Sequence, residues 1–454
     1  MTVHAIDIEP MRRLVKQGQT SPKAWRLAQL QRLGKLLTAI EKPLLRALDA
    51  DLGKPELEAY LEIAGVNAEL KLAQNNLQFW MAPKPVELPF VHQPARAWVQ
   101  AEPLGCVLVI GPWNYPFMLM LKPLVTALAA GNTAILKPSE QTPRVGELLS
   151  KMVIDHFHSD VVQVVLGGIS TAQSLLQLPF DHIFFTGGPQ AGRKVLAAAA
   201  DQLIPVTLEL GGKSPCIVLS DADLDVTARR ITWGKFLNAG QTCVAPDYLL
   251  VVPELRKPLE LALKSTIKKF FGTNPQHSPC FGRLVNERQF DRLEALLEGT
   301  QVLCGGDRDR ENLYLAPTLV AVEQNHPLMQ EEIFGPVLAI LEVADLATAL
   351  AMVNARPQPL AIYLFSNDSK AQTQLLSQSQ SGTVIFNDVV LQASIATLPF
   401  GGVGASGMGR GHGRQGFETF SNQRSILKRR FGFDLPFRYP PYGNRLRWLR
   451  FFLD

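Results

Sequence analysis

From residue 105 onward, short apolar runs alternate with segments long enough to form helices. This alternation predicts a doubly wound α/β fold, because parallel strands need long crossover connections and helices then cover both faces of the sheet. The runs form two series, which predicts two α/β domains with a ligand cleft between them. The first series comprises residues 107–110, 134–136, 161–166, 182–186 and 206–210, and the second comprises 215–219, 248–252, 337–340, 361–365 and 383–386.

The chain before residue 105 lacks this alternation. Leu30, Leu33, Leu37 and Ile40 recur at helical spacing, so we expect the first 80 residues to form helices. Four prolines between residues 82 and 95 predict a linker or an extended arm that leaves this helical layer.

Residues 103–121 carry no charge over 19 positions, which is about the length of a membrane span. Two dipeptides, Gly111-Pro112 and Tyr115-Pro116, would interrupt a helix in the middle of this stretch. We therefore expect a buried strand, a loop and the start of a helix there. The N-terminus lacks the long apolar core of a secretory signal.

Composition and cysteine usage favour a globular chain in a reducing compartment. Hydrophobic residues make up 46% of the chain and charged residues only 19%, which excludes intrinsic disorder. The five cysteines include no Cys-x-x-Cys pair, so we expect neither a disulfide framework nor a metal site. The expected location is the cytoplasm.

Cys243 is a candidate nucleophile, because a thiolate is the most reactive side chain when it is partly exposed near hydrogen-bond donors. Its neighbours, Asn-Ala-Gly-Gln-Thr at 238–242, are small or polar and leave room for a substrate. Taken alone, the residue is more often a small buried hydrophobe.

Glu209 ends an apolar run and precedes a glycine pair, at the point where a parallel sheet faces its ligand crevice. A carboxylate there can act as a general base towards water. An ion pair with Lys213 or a helix cap explains the residue equally well. Asn114, held in a loop between prolines, is a candidate donor to an oxyanion, although Asn is also a common turn residue.

Other residues at predicted strand ends suit a nucleotide. Gly187, Gly188 and Gly192 follow the run at 182–186, and glycines let a backbone approach a pyrophosphate at a helix start. As a bare pattern this is weak, since such glycines are often only turns. Lys137 and Glu140 could bond ribose hydroxyls or simply begin a solvated helix.

Together and in this order, these motifs are specific. The sequence resembles the aldehyde dehydrogenase superfamily over roughly residues 5–425, and its short N-terminus and block spacing resemble the class 3 group of fatty and aromatic aldehyde dehydrogenases. The stretches that carry the resemblance are GPWNYP (111–116), GNTAILKPSE (131–140), FTGGPQAG (185–192), LELGGKSP (208–215), NAGQTC (238–243), EEIFGPV (331–337) and PFGGVGASGMG (399–409).

The resemblance implies a role for each matching residue. Cys243 would attack the aldehyde to give a thiohemiacetal, with Asn114 and the Cys243 N–H holding the oxyanion. A hydride would pass to NAD or NADP, and Glu209 would activate the water that releases the acid. The cofactor would be held by Lys137, Glu140, Gly187, Gly188, Gly192, Glu332 and Phe334. Many relatives have Ser where this chain has Gly188.

The resemblance also implies the domain organisation and the partners. The cofactor domain would comprise residues 1–84 and 104–211 in a modified Rossmann fold, and the catalytic domain residues 212–402. Segments 85–103 and 403–430 would form a small β arm that joins two copies into a homodimer. No nucleic acid partner is expected.

The C-terminal segment 431–454 reads as a basic amphipathic tail. From Arg424 to the end there are eight basic and two acidic residues, so this part carries +6 while the rest of the +4 chain carries −2. Residues 442–454 place aromatic and aliphatic side chains among arginines, as in an interfacial helix on a membrane surface. Packing over the substrate tunnel or on the partner subunit is the alternative.

We therefore predict an NAD(P)-dependent dehydrogenase that oxidises medium- or long-chain aliphatic, or other apolar, aldehydes to carboxylic acids. Two alternatives stay open at this point. One is a reductive or coenzyme A-acylating relative, which the presence of Glu209 disfavours because such relatives often lack it. The other is a non-catalytic peripheral membrane or structural protein.

Overall fold

The structure is a computed structural model that describes residues 6–432, 434, 438–443, 446 and 450. The helices in this part of the chain are α1 Glu9–Lys16, α2 Lys23–Leu52, α3 Glu56–Met81, α4 Met118–Ala130, α5 Pro143–His156, α6 Ile169–Leu175, α7 Pro189–Ala200, α8 Leu224–Phe236, α9 Pro253–Phe271, α10 Glu287–Leu297, α11 Leu346–Asn354, α12 Ser369–Gln378 and α13 Gly413–Thr419. The strands are β1 Lys84–Val86, β2 Ala95–Pro103, β3 Cys106–Ile110, β4 Thr133–Lys137, β5 Val162–Val164, β6 His182–Thr186, β7 Val206–Glu209, β8 Pro215–Val218, β9 Tyr248–Val251, β10 Gln301–Cys304, β11 Arg308–Asp309, β12 Tyr314–Leu315, β13 Thr318–Ala321, β14 Val337–Glu342, β15 Ala361–Phe365, β16 Thr383–Phe386, β17 Gly407–Met408 and β18 Ser421–Arg429.

The first large sheet has the strand order β17-β7-β6-β3-β4-β5. Its strands are parallel except β17, which runs antiparallel to β7. The chain passes from β3 outward to β4 and β5, then returns to build β6 and β7 on the other side of β3. The strand order therefore reverses beside β3, and a crevice opens at the carboxyl ends of these strands.

The second large sheet has the order β10-β13-β14-β9-β8-β15-β16 and is parallel except for β10. Its order reverses between β8 and β15. The two sheets confirm the predicted doubly wound α/β architecture, and each of the ten predicted apolar runs contains a strand. Prediction missed β10 and β13, which are four residues each, and β10 is an edge strand with two exposed residues.

Helices cover both faces of the first sheet. The long N-terminal helices α2 and α3 pack with α4 and α5 on one face, and α1, α6 and α7 cover the other. The predicted stripe on α2 is confirmed, since Leu30, Leu33, Leu37 and Ile40 are at most 2% exposed. Burial of this stripe drives the packing of α2, because each such side chain contributes about 1.5–3 kcal/mol.

The stretch 103–121 contains β3, a loop and the beginning of α4, as predicted. Among the helices of the described residues, none combines the length and apolarity needed to cross a membrane. The predicted interfacial helix over 442–454 falls outside the described residues, apart from positions 442, 443, 446 and 450, and it stays a prediction.

The arm is a three-stranded antiparallel sheet in the order β1-β2-β18. Of the predicted arm segment 403–430, the last part, β18, joins this sheet. Strand β17 instead extends the first large sheet beside β7, and α13 packs on α3 and α4. The apolar residues Phe417 and Phe420 are buried in the first core, which is why this part of the segment stays with the first sheet.

Candidate active site

A cleft of about 1320 Å³ lies between the two large sheets. The first sheet contributes the carboxyl ends of β3, β4, β6 and β7, as expected for a parallel sheet. The second sheet contributes the loops before β8, β9, β14 and β15, so its strands present their amino ends to the cleft. The residues that line the cleft include nine of the ten predicted site residues, namely Asn114, Lys137, Glu140, Gly187, Gly188, Glu209, Cys243, Glu332 and Phe334.

Gly192 is the predicted site residue that does not line the cleft. It is buried in α7, and a Cβ added there would lie 2.8 Å from Leu210 Cδ2. Gly192 therefore permits close packing of α7 on the loop after β7. Gly188 differs, because a Cβ added there would meet nothing within 4 Å. The backbone at the start of α7 is open to the cleft at this point.

Cys243 follows a tight turn, Leu237–Gly240, in which Asn238 and Ala239 have positive φ angles of 53° and 52°. Gly240 also has a positive φ, and a Cβ there would lie 2.2 Å from the Gly335 carbonyl oxygen, so only glycine fits. The turn brings the thiol to the cleft, where it is partly exposed. Desolvation raises the pKa of the Cys243 thiol well above its ordinary value, and the charges of Glu332 and Glu209 raise it further.

Hydrogen bonds join the Asn114 loop to the Cys243 loop. The Asn114 side-chain amide donates to the Gln241 carbonyl at 3.0 Å, and the Asn238 amide donates to the Asn114 carbonyl at 2.9 Å. The hydroxyls of Tyr115 and Thr242 are 2.8 Å apart. The side chain of Asn114 and the backbone beside Cys243 therefore hold each other in place.

A buried ion pair supports the Asn114 loop from behind. Lys54 Nζ lies 2.5 Å from Glu62 Oε1, and both side chains are fully buried. Lys54 also donates to the Asn114 carbonyl at 2.9 Å, and Glu62 Oε2 accepts from the N–H groups of Phe117 and Met118 at 3.1 and 3.0 Å. Prediction missed this pair, although a glutamate on the apolar face of a predicted helix is a signal that could have revealed it.

Three glutamates on the same face of α3 each bind a different segment of the site. Besides Glu62, Glu58 accepts from the Asn238 N–H at 2.7 Å, and Glu69 accepts from the Gly413 N–H at 2.5 Å. Burial raises the pKa of Glu58 to about 7 and that of Glu69 to about 7. Helix α3 thus serves as a common support for the loops around the cleft.

Glu209 is the last residue of β7 and is 5% exposed. Its Oε1 atom is buried and accepts no hydrogen bond from the described part of the chain. Burial raises the pKa of Glu209 to about 8, while the positive charges of Lys122 and Arg410 oppose this shift. A carboxyl group with this pKa is poised to exchange a proton near neutral pH.

Glu332 and Phe334 lie in the loop before β14. The Glu332 carboxylate packs tightly on Gly211, where a Cβ would lie 2.1 Å from Glu332 Oε2. Burial raises the pKa of Glu332 to about 8. The Phe334 ring contacts Trp113 edge-on, with centroids 5.3 Å apart. Further along the cleft, Lys137 Nζ lies 3.2 Å from Glu140 Oε2.

These residues fit a dinucleotide. Open backbone at Gly188 leaves room for phosphates at the start of a helix whose first residue is Pro189 and whose N-terminus has no side-chain cap. Lys137 and Glu140 present polar groups to the same cleft. Within the described residues, no cluster of His, Cys, Asp or Glu could hold a metal ion.

Comparisons with known proteins agree with this geometry. A family profile described as "Aldehyde dehydrogenase family" matches residues 7–426. Aldehyde dehydrogenase family 3 member A2 of Rattus norvegicus is 43% identical over 451 residues, which cover 98% of this chain and 93% of the relative. The "dimeric NADP-preferring" aldehyde dehydrogenase of the same organism is 44% identical over 422 residues, covering 92% and 93%.

The fold is also that of solved structures. A substrate-bound state of Staphylococcus aureus AldH superposes with a TM-score of 0.95 at 41% identity and covers 98% of both chains. The chain therefore belongs to the aldehyde dehydrogenase family. It is an NAD(P)-dependent enzyme that oxidises aldehydes to acids.

The buried ion pair generates a stability prediction. Lys54→Met should destabilise the protein by about 3–5 kcal/mol, because it leaves the Glu62 charge buried without a partner. Lys54→Met/Glu62→Gln should recover part of the loss, since no uncompensated charge remains. The free energy of unfolding of both variants is measured by urea denaturation.

The matched control is Lys16→Met, which removes an exposed lysine 3.9 Å from Glu9 and should cost less than about 1 kcal/mol. Equal stability of Lys54→Met and Lys16→Met would show that the buried pair contributes nothing particular to folding.

Proposed function

We propose that Cys243 is the nucleophile, Asn114 and the Cys243 N–H the oxyanion donors, and Glu209 the general base of this dehydrogenase. The observation that carries the proposal is the hydrogen-bonded contact between the Asn114 and Cys243 loops, with Glu209 close enough to raise the pKa of the thiol. A nucleophile, an oxyanion site and a water base are the three groups that a covalent aldehyde oxidation needs.

The first step is addition of the Cys243 sulfur to the aldehyde carbon. The thiol gives its proton to water in the cleft as the C–S bond forms, and the C=O electron pair moves onto the carbonyl oxygen, which becomes an oxyanion. An amide has two N–H groups, and Asn114 uses one on Gln241, so one is left for the oxyanion. The thiohemiacetal then forms with the oxygen held between Asn114 and the backbone N–H of Cys243.

When bound, NAD or NADP would accept the hydride that leaves the thiohemiacetal carbon as the oxyanion re-forms the C=O bond of a thioester. Lys137 and Glu140 would hold its ribose, the backbone at Gly187 and Gly188 its phosphates, and Glu332 with Phe334 its nicotinamide end. Glu209 then takes a proton from water, the hydroxide adds to the thioester carbon, and the C–S bond breaks to give the carboxylic acid and the free cysteine.

This mechanism predicts different defects at the two acting residues. Cys243→Ala should abolish NAD(P)H production with decanal, because no thioester can form. Glu209→Gln should give one burst of NAD(P)H followed by a stall, because acylation proceeds and hydrolysis does not. NAD(P)H formation by both variants is followed by stopped-flow absorbance at 340 nm.

Cys280→Ala is the matched control, since Cys280 is an exposed free cysteine and its loss should leave turnover normal. Normal steady turnover by Glu209→Gln would mean that another group is the base. The acid should form in equal yield with and without coenzyme A, and an acyl-coenzyme A product would favour the acyl-transfer alternative.

We infer that the substrate is an apolar aldehyde. Helix α8 leads into the Cys243 loop and packs on Val389 at Gly234, and the Ala393 carbonyl accepts from Lys122 of α4. Helices α8 and α4 therefore both contact the segment 389–395. Apolar side chains are exposed there, namely Trp233, Leu391, Ile395 and Leu398.

Over aldehydes from C2 to C16, kcat/KM should rise about fourfold per methylene until the route is filled, because each buried methylene contributes about 0.8 kcal/mol. Ile395→Asn should lower kcat/KM for decanal and leave kcat/KM for propanal unchanged. Ile154→Asn, at an exposed position of α5, is the control. A flat dependence on chain length would contradict an apolar route.

We also propose a homodimer joined through the arm, with the basic tail as a separate contact to anionic membrane surfaces. Among the described strands, β1 and β18 have free edges that a second copy could pair with, and Leu427 on β18 is exposed. A relative named as dimeric supports this assembly. Strand β18 ends at Arg429, before the tail begins.

A chain truncated after residue 430 should therefore stay dimeric in light scattering and lose flotation with vesicles that contain anionic lipid. Full-length chain on neutral vesicles is the control. A monomeric full-length protein would contradict the arm interface, and unchanged flotation after truncation would exclude the tail as the membrane contact.

A further inference from the structure

Three consecutive residues behind the cleft each contact a different charged side chain. A Cβ added at Gly411 would lie 2.9 Å from Glu209 Oε1. His412 Nε2 lies 3.4 Å from Lys122 Nζ, and the Gly413 N–H donates to Glu69 Oε1 at 2.5 Å. The segment 411–413 therefore gathers Glu209, Lys122 and Glu69 from three separate elements, β7, α4 and α3.

Lys122 lies in the middle of this group. It is 3% exposed and carries a charge inside α4, where all residues from Leu119 to Ala130 are buried. Its ammonium donates to the Ala393 carbonyl at 2.9 Å. An ammonium group has three donors, and the contacts with the Ala393 carbonyl and His412 involve two of them.

His412 is neutral in this setting. Burial and the Lys122 charge hold the pKa of His412 well below its ordinary value. The His412 ring stacks on the Phe400 ring with centroids 5.0 Å apart, so an uncharged ring lies beside Lys122. Burial lowers the pKa of Lys122, and the negative charges of Glu69 and Glu209 oppose this shift.

The other titratable groups that face Glu209 are the Arg410 guanidinium and the Cys243 thiol. The Arg410 guanidinium donates to the carbonyls of Gly402 and Gly409, which fixes it in the loop. Burial raises the pKa of Glu209 to about 8, Lys122 is the strongest charge that opposes the rise, and Glu69 adds to it. Removal of the Lys122 charge must therefore favour the protonated form of Glu209.

We propose that Lys122 is a positioning residue for the hydrolytic step, in which its buried ammonium favours the carboxylate form of Glu209, the form that accepts a proton from water. This inference rests on the assignment of Glu209 as the base in the proposed function. Lys122 touches neither the substrate nor the cofactor in this role, and it acts only through the charge of Glu209.

The test follows hydrolysis of the acyl-enzyme alone. Ester substrates such as 4-nitrophenyl acetate acylate a reactive cysteine without cofactor, and intact mass measured over time reports the loss of the acetyl group. The Cys243 thiol is esterified in this species, so its own titration does not contribute. The hydrolysis rate of the unmodified enzyme should rise with pH, with a midpoint near 8.

In Lys122→Gln the midpoint should move about one unit to higher pH, so that hydrolysis at pH 7 falls about tenfold, while the rate at the alkaline plateau stays the same. Glutamine keeps a donor for the Ala393 carbonyl and removes only the charge. Lys122→Arg keeps the charge and should restore the midpoint. Lys235→Met removes another fully buried lysine, one that faces Asp247 and not Glu209, and should leave the midpoint unchanged.

Two outcomes would overturn the proposal, and they are distinguishable. An unchanged midpoint in Lys122→Gln, together with loss of the pH-dependent hydrolysis in Glu209→Gln, would remove Lys122 from the mechanism and leave Glu209 as the base. Normal pH-dependent hydrolysis in Glu209→Gln would show that Glu209 is not the base. A fall in rate at all pH values in Lys122→Gln, without a moved midpoint, would indicate a purely structural role and would also contradict the proposal.

Discussion

The contact between Lys54 and Glu62 fixes the geometry of one side of the cleft. Neither charge reaches water, and each satisfies its remaining hydrogen bonds on the backbone of the loop after β3. A buried pair of this kind adds little net stability over an apolar pair, but it is costly to break. The pair contacts the Asn114 loop at three backbone groups, the Asn114 carbonyl and the N–H groups of Phe117 and Met118.

Helix α3 extends this principle along its length. Glu58, Glu62 and Glu69 hold the cysteine turn, the asparagine loop and the segment next to Glu209, so one rigid element sets the relative positions of three flexible ones. Chemistry on loops requires such support, since loops alone do not hold reacting groups within a fraction of an ångström. The same helix buries its apolar stripe in the first core, so that support and folding depend on the same contacts.

Much of this arrangement can be predicted from local sequence, and the rest depends on contacts that local sequence does not contain. Glu209 and Lys137 end apolar runs, and Cys243 follows small polar residues, so their positions at strand ends or in a loop are readable. Lys54 and Lys122 are not, because the contacts of Lys54 lie up to 60 residues away along the chain and that of Lys122 with His412 lies 290 residues away. Local sequence likewise does not show that β17 joins β7 across the fold. The spacing of Gly192 predicts a place beside phosphates, and in the structure this residue packs against Leu210.

The three glycines after β6 differ in whether a side chain would fit at their position. At Gly187 a side chain would meet the Phe185 ring at 2.6 Å, and at Gly192 it would meet Leu210. Gly188 faces empty space with an ordinary φ of −74°, so almost any small residue can stand there without strain. Gly188 is thus an unobstructed position at the proposed nucleotide site, where a hydroxyl or a charge can be introduced to alter cofactor choice without disturbing the surrounding packing.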